Sequence, residues 1–104
     1  MVAISGTVTD LVGADFDNFV LVAKPLRGYF NGSGTLVAQS SISFRALSGA
    51  ITGFLPETET SQQLISFTAH YTANGIYEDL YFNSVIIPNV VSIDLSDLLT
   101  IQSN

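Results

Sequence analysis

The sequence contains no cysteine, no tryptophan and very little positive charge. Without cysteine it has no disulfides, thiolate nucleophiles or thiolate metal ligands, so its stability must come from packing. Three basic residues oppose nine acidic ones, which gives a net charge of −6. A chain with this charge repels phosphate backbones, and we therefore expect no nucleic-acid partner.

Long apolar runs are also missing, although 47% of the residues are apolar. No run approaches the roughly 18 residues of a membrane-spanning helix, so we expect no membrane association. Residues 1–6 carry no basic segment and predict a first strand, not a signal peptide. Charged residues make up only 12% of the chain, about half the usual share. The surface must then be covered by small polar residues or by other subunits.

The clearest pattern present is a strict alternation over residues 64–72. Ile65, Phe67, Ala69 and Tyr71 alternate with Ser66, Thr68, His70 and Thr72. A period of two predicts a strand with one apolar face and one hydroxyl-rich face. The following Asn74-Gly75 pair predicts a hairpin, whose second strand over 76–87 places Tyr77 and Tyr81 on one face.

Similar short patterns, separated by turn residues, recur along the whole chain. They predict strands over 2–9, 19–23, 36–46, 50–55 and 90–93, with a break at 39–41 that divides 36–46 into one strand or two. Asp94 is expected to cap one helical turn over 94–99. The 104 residues fit a single domain, 1–104, with one core. The prediction is an all-β antiparallel sandwich of about seven strands with one short C-terminal helical turn, and an open barrel is the alternative.

Residues that could carry chemistry have simpler structural interpretations. His70, the only histidine, lies between two threonines with no nucleophile motif nearby, which favours a surface imidazole over a triad base. Neighbouring carboxylates in a strand point to opposite faces, which favours solvated charge over a paired acid and base. These carboxylates are Glu57 with Glu59, in a loop, and Glu78 with Asp79, in a strand. We expect no catalytic residue, no cofactor and no enzymatic activity.

The acidic loop 10–18 leaves two interpretations open. It contains Asp10, Asp15, Asp17 and Asn18, whose hard oxygens suit calcium. The same residue types are those that turns prefer for hydrogen bonding to the backbone. The loop also lacks the glycine and the closing glutamate of an EF-hand. We assign no metal to it, and calcium binding stays open.

Apolar and aromatic side chains supply the candidate interaction surface. Residues 19–23 are apolar on both faces, which is typical of a strand deep in the core or at a subunit contact. Tyr77 and Tyr81 flank Asp79, and their rings suit cross-strand packing, a partner protein or a sugar. The candidate interface residues are Phe19, Leu21, Tyr29, Phe30, Tyr77 and Tyr81.

The two ends of the chain resemble a module of tailed-phage structural proteins. Residues 4–10, Ile-Ser-Gly-Thr-Val-Thr-Asp, with Gly13, are similar to the "G-t-v-x-D-x-x-G" opening of those domains. Residues 85–88, Val-Ile-Ile-Pro, followed by 92–99, Ser-Ile-Asp-Leu-Ser-Asp-Leu-Leu, resemble their "V-x-V-P … v-d-L-x-d-L-l" ending. The resemblance implies an immunoglobulin- or transthyretin-like β-sandwich, with 1–104 as the N-terminal part of a longer fibre protein where the chain continues.

The resemblance also implies a function without catalysis. In that family the module attaches a tail fibre or decorates the capsid or tail. The expected partners are other virion proteins of the tail, baseplate or capsid, together with further copies of the chain as a homo-oligomer. The expected location is the virion, assembled in the host cytoplasm. The alternative is a carbohydrate- or receptor-binding sandwich, in which a glycan contacts the Tyr77 and Tyr81 face.

Overall fold

A computed structural model describes residues 1–102 and confirms the all-β class. The elements are β1 (Val2–Thr7), β2 (Phe19–Pro25), β3 (Tyr29–Phe30), β4 (Leu36–Val37), β5 (Ile42–Arg45), β6 (Ala50–Leu55), β7 (Ile65–Ala73), β8 (Ile76–Tyr81), β9 (Ser92–Asp94) and α1 (Leu95–Leu98). The described residues form nine strands, not about seven, because residues 28–46 contain three short strands. Asn31 allows the first two to pair, since its Oδ1 accepts hydrogen bonds from the N–H groups of Ser33 and Thr35.

Two sheets form the sandwich, and the β3–β4 hairpin stands apart from both. One sheet has the order β6-β1-β9 and the other the order β5-β2-β7-β8. All pairings are antiparallel except that of β1 with β9, which is parallel. This pairing departs from the wholly antiparallel prediction. It arises because the chain leaves the second sheet after β8 and crosses over, and Val91 accepts a hydrogen bond from Ala3 N–H as β9 begins.

The core fills the space between these two sheets. Alternate residues of the paired strands point inward, as the period of two predicts. The buried apolar residues are Val2, Ile4, Phe19, Leu21, Ala23, Phe44, Ala46, Ile51, Leu55, Ile65, Phe67, Ala69, Ile87 and Leu98. Because β2 is central in its sheet, its apolar residues on both faces are covered or half-covered within the chain. Burial inside the sheet therefore accounts for the 19–23 pattern.

Two inward-facing glycines make room for large side chains from other elements. A Cβ built on Gly53 of β6 would lie 2.2 Å from the ring of Phe44, which crosses the sandwich from β5. A Cβ on Gly6 of β1 would lie 2.7 Å from Leu95 at the start of α1. Real Cβ atoms do not approach this closely, so both glycines are required by packing and not by backbone conformation.

The helical turn is present, but its predicted cap is not. Asp94 occupies the position before Leu95 without a capping hydrogen bond from its side chain. Its Oδ1 instead accepts a hydrogen bond of 3.4 Å from Ser5 Oγ. The reason is that Asp94 is the last residue of β9 and lies directly opposite Ser5 across the parallel pair. Within the described part of the chain, no helix is both long and apolar enough to cross a membrane.

The partner strand of the Asn74-Gly75 hairpin ends at Tyr81, six residues before the predicted limit at 87. Phe82 N–H still donates to the carbonyl of Phe67, but Asn83 N–H donates to the carbonyl of Thr100 in the C-terminal segment. Val85 returns to form an isolated bridge with Ile65. The long pattern over 76–87 therefore contains one strand and a separate bridging segment, because the C-terminal segment interrupts the pairing with β7.

Thr58 ties this returning segment to the loop after β6, and its replacement gives a first test of the fold. Its hydroxyl is fully buried and accepts a hydrogen bond of 2.8 Å from Ile87 N–H. Thr58→Val keeps the shape but leaves that buried N–H unpaired, and we expect it to lower the free energy of unfolding by about 1.5 kcal/mol. Thr58→Ser, which keeps the hydroxyl, is the control. Equal urea midpoints for the two variants would contradict this account of Thr58.

Candidate functional site

The β7–β8 hairpin places two tyrosines, an imidazole and a carboxylate on the outer face of the four-stranded sheet. Asn74 and Gly75 adopt φ values of 53° and 78°, as a tight hairpin turn requires. The register then sets three outer residues of β8 opposite three of β7. We call this surface the tyrosine face; its members are Thr68, His70, Thr72, Tyr77, Asp79 and Tyr81. Tyr77 and Tyr81 share one face, as the sequence predicts.

The centre of the tyrosine face is a His70–Asp79 pair. The imidazole Nδ1 lies 2.6 Å from Asp79 Oδ1, and both side chains are about one third exposed, at 36% and 35%. The ring of Tyr77 stacks on His70 with a centroid separation of 6.1 Å and an interplanar angle of 19°. A pair this exposed contributes less than about 1 kcal/mol to stability. Its main effect is to fix the orientation of the imidazole and of Tyr77.

The surroundings of Tyr77 keep its hydroxyl protonated. Partial desolvation and, second, the negative charge of Asp79 raise the pKa of Tyr77 above its ordinary value. Partial desolvation and the charge of Glu57 likewise raise the pKa of Tyr29. A neutral phenol is both a hydrogen-bond donor and an acceptor. Both rings therefore present an apolar body with a polar tip to anything that contacts them.

These raised values predict a loss of stability at alkaline pH. Below the ordinary tyrosine pKa of about 10, both folded and unfolded chains are protonated and these groups leave stability unchanged. Above it the unfolded chain releases its protons first, so the stability declines as the pH rises through the folded pKa. We expect Tyr77→Phe to show a smaller decline than wild type in urea unfolding between about pH 8 and about pH 11. An identical decline in the free energy of unfolding for the two proteins would contradict the raised pKa of Tyr77.

The other predicted interface residues lie elsewhere. Tyr29 and Phe30 form β3, in a separate two-stranded sheet, so the structure does not bring them into the tyrosine face. Phe30 pairs with Leu36, and the two side chains are 66% and 62% exposed. Phe19 and Leu21 are only 8% and 1% exposed. The facing sheet covers most of both side chains within the chain, and their role at an interface stays a prediction.

The carboxylates considered for chemistry mainly hold turns together. Glu57 Oε2 accepts a hydrogen bond from Thr60 N–H, which lowers the pKa of Glu57, and Glu59 Oε1 accepts one from Asn89 N–H. Glu78 and Asp79 lie on opposite faces of β8, since Asp79 pairs with His70 and Glu78 lies opposite Tyr71. Glu57, Glu59 and Asp79 therefore each have a hydrogen-bond partner of their own.

The acidic loop 10–18 uses its carboxylates in the same way. Asp10 Oδ1 accepts hydrogen bonds from the N–H groups of Val12 and Ala14. Asp17 Oδ1 accepts one from Gly49 N–H in the β5–β6 turn. These contacts follow the turn interpretation of the loop. Among residues 1–102, no group of three or more histidine or acidic side chains is arranged to hold a metal ion.

A further surface has no local sequence signal. Phe16, Tyr71, Leu80 and Leu99 line an open apolar cleft at one end of the sandwich. They are widely separated along the chain, and each is partly buried. The cleft becomes visible only when the strands are assembled.

No family model matches this chain, and no curated protein matches it either. The similarity of its two ends to tailed-phage modules therefore stays a hypothesis. The exposure and contacts of its own residues supply the remaining argument about function.

Proposed function

We propose that this chain is a non-enzymatic structural module of a tailed-phage virion that acts through protein–protein packing. It attaches a tail fibre or decorates the capsid or tail, and it assembles in the host cytoplasm. The observation that carries the proposal is the β3–β4 hairpin, whose cross-strand pair Phe30 and Leu36 is about two thirds exposed. Two large apolar side chains side by side and exposed on one hairpin suit a partner surface better than water.

The extent of the surface supports the same proposal. The accessible surface is 6537 Å², whereas a folded monomer of this mass is expected to expose about 5,700 Å². The radius of gyration of 14.3 Å likewise exceeds the roughly 13 Å expected for the length. An elongated chain with excess surface and few charges gains most when neighbouring subunits cover part of it. The phage-like ends of the sequence supply the virion context.

Self-association is the first measurement for this proposal. Light scattering on the purified chain, over a range of concentrations, should give a discrete multiple of the 11.1 kDa monomer mass. Phe30→Ser with Leu36→Ser should shift the protein to monomer. Leu47→Ser with Val91→Ser removes two apolar side chains elsewhere that are even more exposed, and it should leave the mass unchanged. A monomer at every concentration would exclude a homo-oligomer and leave only attachment to a different partner.

The proposed location of the chain in the virion is tested separately, by immunogold electron microscopy. Antibodies against the chain should label tails or capsids of particles released from the cells that encode it. Antibodies against the major capsid protein serve as the positive control. Particles that bind the control antibody and not the test antibody would contradict the virion proposal, whatever the oligomeric state.

The tyrosine face supports a second candidate function, carbohydrate binding. Tyr77 and Tyr81 are 65% and 55% exposed, and a His70–Asp79 pair lies between them. Rings beside fixed polar groups suit the apolar faces and hydroxyls of a sugar. Titration with host-surface glycans should then give saturable binding that Tyr77→Ala with Tyr81→Ala abolishes and Phe30→Ser leaves unchanged. An absence of saturable binding would exclude this candidate.

A further inference from the structure

An apolar cleft of about 710 Å³ opens at the end of the sandwich where β1 finishes and α1 begins. Its deepest lining residues are Leu21 and Ile51, each only 1% exposed, so the cleft reaches the core. Its walls come from β7, β8, α1 and the segments beside them. The volume lies within the range of about 300–1,000 Å³ that is typical of ligand sites.

One wall of the cleft is a preformed aromatic cluster. Tyr71 meets Phe16 edge to face and stacks on Phe19, with ring centroids 5.6 Å apart in both pairs. The opposite wall carries Leu95 and Leu99 of the helical segment. These partly buried side chains are held by neighbours on one side and open to the cleft on the other. An occupant therefore meets a surface that needs little rearrangement.

The edge of the cleft is acidic, and we call Asp10, Asp15 and Asp17 the acidic rim. Asp10 lines the cleft itself and also an adjoining depression that contains Asp15 and Asp17. Leu11 and Val12, at the tip of the same loop, are 102% and 87% exposed and extend the apolar surface past the rim. In the described part of the chain, no lysine, arginine or histidine lines either depression.

Two of the three basic residues lie at the opposite end of the sandwich, and the third lies on an outer face. Lys24 pairs with Ser66 at the far end of β2, and Arg27 follows that strand. Arg45 lies opposite Val20, near the cleft, but on the outer face of β5, since its neighbours Phe44 and Ala46 are buried. The field at the cleft is therefore negative, which disfavours anionic amphiphiles. A second copy of the chain is disfavoured as well, because it carries the same net charge of −6.

We propose that the cleft binds an apolar segment of a partner protein in which lysine or arginine flanks the apolar residues. The apolar side chains enter between the two sheets, and the basic residues meet the acidic rim. This inference rests on the proposed packing function and names the chemistry of one partner. Each half of the proposal has its own structural basis: the apolar lining sets the affinity, and the rim selects the sign of the flanking charge.

The test is a selection from a random peptide library displayed against the whole immobilised chain. We expect enriched peptides to share large apolar residues flanked by lysine or arginine, with binding that weakens as the salt concentration rises. Ala73→Trp fills the mouth of the cleft at a partly exposed position and should abolish binding of those peptides. Tyr77→Ala, on the outer face of the same sheet, should leave it unchanged.

Two pairs of charge substitutions distinguish the effect of the acidic rim on binding from the effect of the net charge. Asp10→Asn with Asp15→Asn keeps an oxygen for the Asp10 turn and should weaken binding roughly tenfold. Glu57→Gln with Glu59→Gln removes the same charge near Tyr29, away from the cleft, and should have little effect. Both charge variants leave the apolar lining intact, so they report on binding even if Ala73→Trp unfolds the chain.

Several results would overturn the proposal. The selection could enrich no peptide, or it could enrich peptides with acidic flanking residues. The enriched peptides could also bind Ala73→Trp as well as they bind wild type. Self-association that Ala73→Trp abolishes would instead assign the cleft to a second copy. If immunogold labels the virions but the peptide selection fails, only the cleft proposal is rejected. If the selected peptides depend on the cleft but the virions are not labelled, only the virion proposal is rejected.

Discussion

Replacing Phe67 by alanine should lower the free energy of unfolding by about 3–5 kcal/mol. Phe67 is 1% exposed and is the largest of the fully buried side chains. It points into the space between the two sheets from β7, a central strand that pairs with both β2 and β8. Alanine there loses the transfer free energy of the ring and leaves a cavity that rigid strands on both sides cannot close.

A second phenylalanine provides the matched control for this prediction. Phe54 lies on the outer face of β6 and is 60% exposed, so Phe54→Ala should change the stability by about 0.5 kcal/mol or less. Urea unfolding followed by circular dichroism measures both variants. Since domains of this kind are stable by only about 5–15 kcal/mol, Phe67→Ala should move the midpoint strongly. Equal midpoints for the two variants would contradict the placement of Phe67 in the core.

The alternation of Phe67 with its neighbours explains why this part of the fold could be predicted. A strand that separates apolar from polar residues defines its own inner and outer faces, and the Asn74-Gly75 turn fixes the register of the strand that follows. The turn at Ser48-Gly49 is equally local, since both of its residues adopt positive φ values, of 50° and 77°. In each case the information lies within a few residues.

Strands that are apolar on both faces carry no such information. Residues 19–23 suited a core strand and a subunit contact equally well. The choice depends on β5 and β7, which flank β2 in the sheet and are distant from it in sequence. The interface assignment of Phe19 and Leu21 stays a prediction for this reason, since both side chains are buried in the chain and also line its apolar cleft. Hydrophobicity predicts that a side chain is covered, but not whether its own chain or another one covers it.

Long-range features could not be predicted at all. The parallel contact of β1 with β9 joins the two ends of the described chain. The cleft combines Phe16, Tyr71 and Leu99, which no local pattern connects. The predicted capping role of Asp94 was also wrong, because its carboxylate accepts a hydrogen bond from Ser5 on the neighbouring strand. Most candidate surfaces of this protein therefore form only when distant strands pack together. The tyrosine face could be predicted from the sequence because a single hairpin forms it.

Gly53→Ala should destabilise the chain by about 2–3 kcal/mol although it adds only a methyl group. The new Cβ would lie 2.2 Å and 2.3 Å from two ring atoms of Phe44, whose side chain is itself buried. Either the ring leaves its position or the two sheets separate at that point. The usual small gain from replacing glycine, about 0.4–1 kcal/mol through the unfolded chain, cannot offset such a clash.

A double-mutant cycle with Phe44→Leu identifies the clash as the cause. Leucine at 44 leaves space that the methyl group added at position 53 can occupy, so the double variant should be more stable than the sum of the two single changes predicts, by about 1 kcal/mol or more. Gly28→Ala is the control, because its Cβ would meet only the carbonyl oxygen of Val37, at 3.4 Å. Strict additivity in the cycle would mean that Gly53 is needed for a reason other than the ring of Phe44. The coupling, if found, shows that β5 and β6 face each other across the sandwich.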